Sequence, residues 1–86
     1  AFLQFIEFKL LAPKAKKVSL TGDFSQWKKD AFFLKSQGQG LWEILLPLPS
    51  GKYRYQFYVD GVMTLDPKGL QTEESGDKKY SIKVVP

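Results

Sequence analysis

Residues 52–67 read KYRYQFYVDGVMTLDP, and this stretch restricts the fold more than any other part of the chain. Tyr53, Tyr55, Phe57 and Val59 alternate with Arg54, Gln56 and Tyr58, a period of two that marks a strand with one face in a core. Asp60-Gly61 follows at once; a two-residue hairpin turn needs positive φ at both central positions, and these residue types tolerate it. Residues 62–65 then return as the partner strand, and Asp66-Pro67 ends it, because proline lacks a ladder donor and biases the residue before it. A hairpin with this much aromatic surface does not stand alone in water. It needs a second sheet over the Tyr53/Tyr55/Phe57/Val59 face.

The remainder of the chain supplies such strands. Residues 2–10 (FLQFIEFKL) place Phe2, Ile6, Phe8 and Leu10 on one face, with Leu3 and Phe5 adding apolar side chains to the other. Residues 11–17 turn at Pro13, and residues 18–21 form a short strand broken by Gly22-Asp23. Residues 24–30 are a polar loop with two aromatics in it, residues 32–35 a short strand, and residues 37–40 (QGQG) a turn. Residues 41–46 (LWEILL) form a strand that Pro47 and Pro49 either stop or leave at a sheet edge. Residues 68–79 are polar, carry Gly69 and Gly76, and read as a long loop. Residues 80–85 close the fold, with Tyr80, Ile82 and Val84 expected to face inward. About seven short strands, turn signals every 8–12 residues or so and no helical periodicity predict an all-β, two-sheet antiparallel sandwich.

Size and composition exclude several functions. Eighty-six residues make one domain with a single core, and 43% apolar with 15% aromatic residues places the chain among globular rather than disordered sequences. No apolar run approaches the roughly 20 residues that span a bilayer, and no membrane partner is expected. No signal peptide opens the sequence; it starts at Ala1 directly in an apolar run, which reads as a domain excised from a larger protein. The absence of cysteine excludes disulfides and thiolate zinc sites and fits a reducing, cytoplasmic setting. With no histidine either, the usual general base and metal ligands are missing. Asp60 and Asp66 each have a turn-forming role that explains them, and a sandwich this small has little material for a cleft between two catalytic carboxylates. No catalysis, cofactor or metal is therefore expected. The net charge of +4 is spread over scattered lysine groups at 14–17, 28–29 and 78–79, the pattern of a solvated surface. Tyr53-Arg54-Tyr55 interleaves basic and aromatic residues as single-strand nucleic-acid binders do, but the period of two puts those aromatics in the core. Nucleic acid is not an expected partner.

A second stretch, GDFSQW at 22–27, remains. Phe24 is expected to plug the core beneath the loop. Trp27, among Gln26, Lys28 and Lys29, has two readings. It caps an end of the sandwich with its indole N–H bonded locally, or it offers an exposed platform to the apolar C–H face of a pyranose ring. Trp42 sits mid-strand and is expected in the core.

GDFSQW, then GLWEILLPLPSGKYRYQFYVDG at 40–61, then DP at 66–67, resemble the family 48 carbohydrate-binding modules. These include the glycogen-binding domain of the AMP-activated protein kinase beta subunit and the isoamylase-type early-set domains of branching and debranching enzymes. The resemblance runs from about residue 8 to residue 85. It implies an immunoglobulin-like early-set sandwich that binds α-glucan without catalysis. The family's first stacking tryptophan matches Trp27. Its second follows the VDG turn, where this chain has Met63; a lysine that hydrogen-bonds sugar hydroxyls on the central strand is replaced by Gln56, whose amide can still do so. The late-loop leucine, threonine and asparagine find no match in residues 72–81, with Leu70 the nearest substitute for the leucine.

The site implied by that resemblance is Trp27 as platform, Met63 as a second apolar contact, Gln56 as hydrogen-bonding group, Lys29 at the rim and Leu70 beyond. The ligand is an α-glucan oligosaccharide or polysaccharide, such as glycogen or starch. The competing reading is a protein-interaction or spacer domain of the same fold, serving other domains of a parent protein. The exposure of Trp27, and its position relative to Gln56 and Met63, separates the two.

Overall fold

The computed structural model describes residues 3–69 and 71–86. Among the described residues nine strands run in chain order: β1 (Leu3–Leu11), β2 (Val18–Gly22), β3 (Phe32–Phe33), β4 (Lys35–Ser36), β5 (Leu41–Pro49), β6 (Gly51–Val59), β7 (Val62–Thr64), β8 (Gln71–Ser75) and β9 (Lys78–Val85). They form two antiparallel sheets, β1-β5-β4 and β3-β2-β6-β9-β8, with β7 also paired to β6. This is the expected immunoglobulin-like early-set sandwich. The chain crosses between sheets at Leu34, which is buried and donates its amide to the Val18 carbonyl at 2.9 Å. Among the described residues no helix is long and apolar enough to cross a membrane.

The hairpin forms as its sequence dictates. Asp60 and Gly61 have φ of 50° and 86°, the doubly positive turn whose twist matches its strands. The Asp60 carboxylate accepts the amides of Lys16 and Lys17, both at 2.9 Å, and so pins the preceding loop to the turn. Tyr55 and Phe57 are buried between the sheets, with Tyr53 and Val59 packed at the margin of the same cluster. Phe8 meets Tyr55 edge-on, with ring centroids 5.1 Å apart, a favourable quadrupole arrangement. Phe24 closes the core under its loop, 5.8 Å from Phe8. Trp42 packs against the core and donates its indole N–H to the Ala12 carbonyl at 3.1 Å.

Two expectations are corrected. Residues 68–79 contain a hairpin rather than a loop: β8 pairs with β9 around Gly76-Asp77. As an edge strand, QTEES is wholly polar and so offers no apolar alternation to find. The inward residues of β9 are one position off. Arg54 lies opposite Ile82 and Lys52 opposite Val84, so Tyr80, Ile82 and Val84 share the outer face. Ser81 and Val85 point inward instead, and the Lys83 ammonium lies 5.1 Å from the Phe8 ring centroid. The Ser81 hydroxyl escapes desolvation by accepting the Asp66 amide at 3.1 Å. Of the two readings of Pro47 and Pro49, the sheet edge holds: β5 continues through them, with Phe5 paired to Pro47 and Leu3 to Pro49. Since β4 reaches only Glu43 and Trp42, β5 is an edge at both prolines, and their missing donors interrupt no second ladder.

β6 changes partners along its length, and this positions the outer-face site. One edge pairs with β2, from Tyr55 to Val59. The other pairs with β9 over residues 51–55 and with β7 over residues 57–59. Gln56 lies where β9 and β7 part, and its side-chain amide donates to the Lys79 carbonyl.

Candidate functional site: an aromatic cleft on the large sheet

Trp27 reaches the outer face of β6 because its loop is folded across β2. Every residue of β2 is buried although two are polar. Thr21 donates to the Lys28 carbonyl at 2.9 Å, and Ser19 donates to the Asp30 carboxylate at 3.3 Å, so the strand's outward hydroxyls hold the loop down. A single 3₁₀ turn over Asp23–Ser25 is closed by Ser25, whose hydroxyl accepts the Gly22 amide at 3.1 Å. Gly22 admits no side chain: a Cβ there would lie 2.5 Å from the Arg54 carbonyl oxygen. Gln26 and Trp27 then take consecutive left-handed conformations, φ 56° and 60°, which cost non-glycine residues about 1–2 kcal/mol each. Strain of this kind persists where neighbouring contacts over-determine it.

The over-determining group is Asp23. Its carboxylate accepts the Trp27 indole N–H at 3.0 Å and the Arg54 amide at 2.9 Å, and it pairs with the Arg54 guanidinium at 3.5 Å. Partial burial works to raise the Asp23 pKa, but the Arg54 amide, the indole N–H and the guanidinium outweigh it and hold the carboxyl below the usual value. Arg54 in turn lies 5.7 Å from the Tyr80 ring centroid, and Tyr80 lies 4.8 Å from Trp27 at an interplanar angle of 56°. Trp27, Asp23, Arg54 and Tyr80 thus close a ring of contacts.

Trp27, Tyr58, Met63 and Tyr80 line one cleft of about 290 Å³, with Arg54 and Lys78. That volume sits at the lower limit of roughly 300–1,000 Å³ typical of small-molecule sites. Trp27 is half-buried; with its N–H already bonded, what it offers a ligand is carbon surface. Met63 is 43% exposed and sits directly across the ladder from Tyr58. Lys29 holds its ammonium 5.3 Å from the Tyr58 ring centroid, at the margin of the cleft.

Of the residues singled out in the sequence, Trp27, Met63 and Lys29 are brought together. Gln56 is on the same face but only 3% exposed and is bonded to Lys79. The parting of β7 and β9 leaves the Lys79 main-chain carbonyl for its amide to satisfy, so its side chain is held beneath the surface. Leu70 lies outside the described residues. Sequence reasoning missed Tyr80, Arg54, Tyr58 and Lys78. The outward alternation of Arg54 and Tyr58 with the core aromatics was available as a signal. Tyr80 was assigned to the wrong face with the rest of β9.

Comparison with known proteins adds a family. Residues 6–86 match the family described as the glycogen recognition site of AMP-activated protein kinase. The chain is 33% identical over 75 residues to a 1,4-alpha-glucan branching enzyme GlgB 1 of Clostridium perfringens, 79% of this chain and 11% of that protein. It is 39% identical over 71 residues to the 1,4-alpha-glucan branching enzyme GlgB of Lactobacillus acidophilus, 77% of this chain and 11% of the enzyme. The corresponding enzyme of Rhodopseudomonas palustris strain BisB5 is 33% identical over 72 residues, 84% of this chain and 9% of the enzyme. The chain therefore spans about a tenth of the length of these relatives.

Proposed function

The chain belongs to the family of the glycogen recognition site of AMP-activated protein kinase, and from that premise we propose that it is a non-catalytic module that binds α-glucan in the Trp27 cleft. The observation that carries this reading is the convergence of Trp27, Tyr80, Tyr58 and Met63 on one small cleft with Arg54 and Lys78 among them. A pyranose has apolar C–H faces and a polar equator of hydroxyls. Aromatic carbon with nearby donors matches both parts. Trp27 is the platform, Met63 a second apolar contact and Lys29 a rim donor, while Gln56 props the Lys79–Tyr80 segment from beneath.

Affinity is set by how little surface one ring hides. Stacking one sugar face covers about 50 Å² of carbon, so about 1–1.5 kcal/mol, and a few such contacts give roughly millimolar binding. A fluorescence titration with maltoheptaose tests it, with glycogen retardation in native gels as a second readout. Binding is expected for the wild type and lost in Trp27→Ala, with the melting transition retained. No fluorescence change and no retardation at high oligosaccharide concentration would reject the cleft as a glucan site.

A different observation favours a second role, compatible with the first. One end of the small sheet's outer face is apolar: Leu3, Phe5 and Leu45 are 58–73% exposed and Pro47 and Pro49 lie in register with them, while Glu7, Lys9 and Glu43 form ion pairs beyond. Contiguous exposed apolar surface of this kind suits a protein contact. In a longer parent chain this face suits packing against another domain, leaving the Trp27 cleft on the opposite side free for glucan. The module would then be an accessory domain of a glucan-active enzyme.

A further inference from the structure

A neutral polysaccharide needs no cations, yet lysines gather beside the cleft. Tyr58 forms a common wall between the Trp27 cleft and a second hollow of about 410 Å³. Lys16, Lys17 and Lys29 line this second hollow, with Asp30 and Asp60. Lys29 bridges the two, its ammonium near the Tyr58 ring. Among the described residues none of these lysines makes an ion pair, and neither does Lys78 in the cleft itself. The two aspartates keep their charge, so the hollow sets three cations against two carboxylates, each with one oxygen engaged. One Asp60 oxygen takes the Lys16 and Lys17 amides, and one Asp30 oxygen takes the Ser19 hydroxyl. Asp60 therefore fixes the backbone that carries two of the lysines. Pinning by the rigid hairpin turn limits the backbone ordering that these lysines would otherwise undergo on binding an anion.

We infer that the second hollow is an anion subsite, and that the preferred ligand of this module is an α-glucan bearing phosphate monoesters. This inference rests on the Trp27 cleft being the glucan site. A sugar held against Trp27 and Met63 has Tyr58 beside it. A phosphate ester on its outward hydroxyl passes the Tyr58 edge toward Lys29 and Lys16, and Lys17, whose ammonium rests 4.7 Å from the Phe33 ring centroid, reaches it by swinging off that ring. Each phosphate oxygen accepts charge-assisted hydrogen bonds that a neutral hydroxyl cannot match, and lysine suits it as a mobile point charge. The hollow is open to solvent, so the gain is electrostatic, modest and sensitive to salt.

The test is a calorimetric titration of the intact chain with three probes: maltoheptaose, the same oligosaccharide carrying glucose 6-phosphate units, and inorganic phosphate alone. At low ionic strength the phosphorylated glucan is expected to bind about tenfold more tightly than the neutral one, as a few exposed charge pairs allow. The advantage should vanish in about 1 M salt, where the Debye length is about 3 Å. In Lys16→Gln/Lys17→Gln most of it should also disappear, while maltoheptaose affinity stays unchanged. Equal affinity for the two glucans, or an undiminished advantage in the double variant, overturns the subsite and leaves the neutral glucan site standing. Inorganic phosphate binding as tightly as the phosphorylated glucan would show an anion site unrelated to sugar and overturn it as well. Binding of neither glucan would remove the Trp27 cleft as a glucan site and the subsite with it.

Discussion

At the scale of single residues, Asp23 decides where Trp27 stands. It binds the indole N–H, the Arg54 amide and the Arg54 guanidinium at once. Because its folded pKa is depressed, the stability it contributes is present above the unfolded carboxyl value. That contribution is lost as pH falls through the folded one. Chemical denaturation followed from neutral pH down to about pH 2 should show part of the acid loss disappearing in Asp23→Asn, which should also weaken glucan binding by releasing the indole. An acid limb identical to wild type would mean that the carboxylate does not hold this loop. Met63 makes the complementary prediction. It is exposed on the cleft side, opposite Tyr58, and as a flexible thioether it must be ordered on contact. Met63→Trp offers a stiff, flat surface instead and should tighten maltooligosaccharide binding about fivefold to tenfold, with little change in stability. The gain should require Trp27, so a titration of both single variants and the double variant reads it. A folded Met63→Trp that binds no better than wild type would place this position outside the ligand's reach.

At the scale of elements, the sequence was informative where one face is buried and silent where neither is. The β6–β7 hairpin alternates and carries a two-residue turn code, so its core face and its turn were readable. β8 lacks an apolar face and stayed hidden. In β9 the string YSIKVV presents its larger apolar residues on the outer face and a serine and a lysine inward, an inversion that side-chain size alone misreads. It works because Ser81 satisfies Asp66, and Lys83 lays its stem and ammonium along aromatic rings. The Trp27 loop was recognisable as a motif. Its attachment was not, since it depends on the hydroxyls of β2 across a strand–loop contact. Tyr55 tests the hairpin's anchoring. Its hydroxyl donates to Asp66 at 2.6 Å, and burial, together with that bond and the Asp66 charge, raises its pKa above the ordinary tyrosine value of 10.0. Stability from this group is complete below that value and is lost as pH rises past it toward the folded pKa. Tyr55→Phe should cost about 1.5–3 kcal/mol at neutral pH while making the alkaline loss shallower, both measurable by urea unfolding. An unchanged alkaline slope would show that another group controls it.

At the scale of the whole molecule, the core between the sheets serves to hold two unlike outer faces apart. Phe57 is fully buried at its centre, and Phe57→Ala should cost about 3–5 kcal/mol; a melting temperature within a few degrees of wild type would contradict that placement. The large sheet presents aromatic carbon and cations, and the small sheet presents leucine, phenylalanine and proline at one end. Substituting Phe5 and Leu45 with serine should therefore leave glucan affinity unchanged, as a maltoheptaose titration would read. The most direct measurement is a chemical-shift titration of the isotope-labelled chain with maltoheptaose. Shifts are expected at the Trp27 indole N–H, at Tyr58, Met63 and Tyr80, and along the outer face of β6, with the Trp42 indole and the outer face of β1 and β5 unchanged. Shifts centred on β1 and β5, or none at Trp27 at saturating sugar, would contradict the assignment of glucan to this cleft.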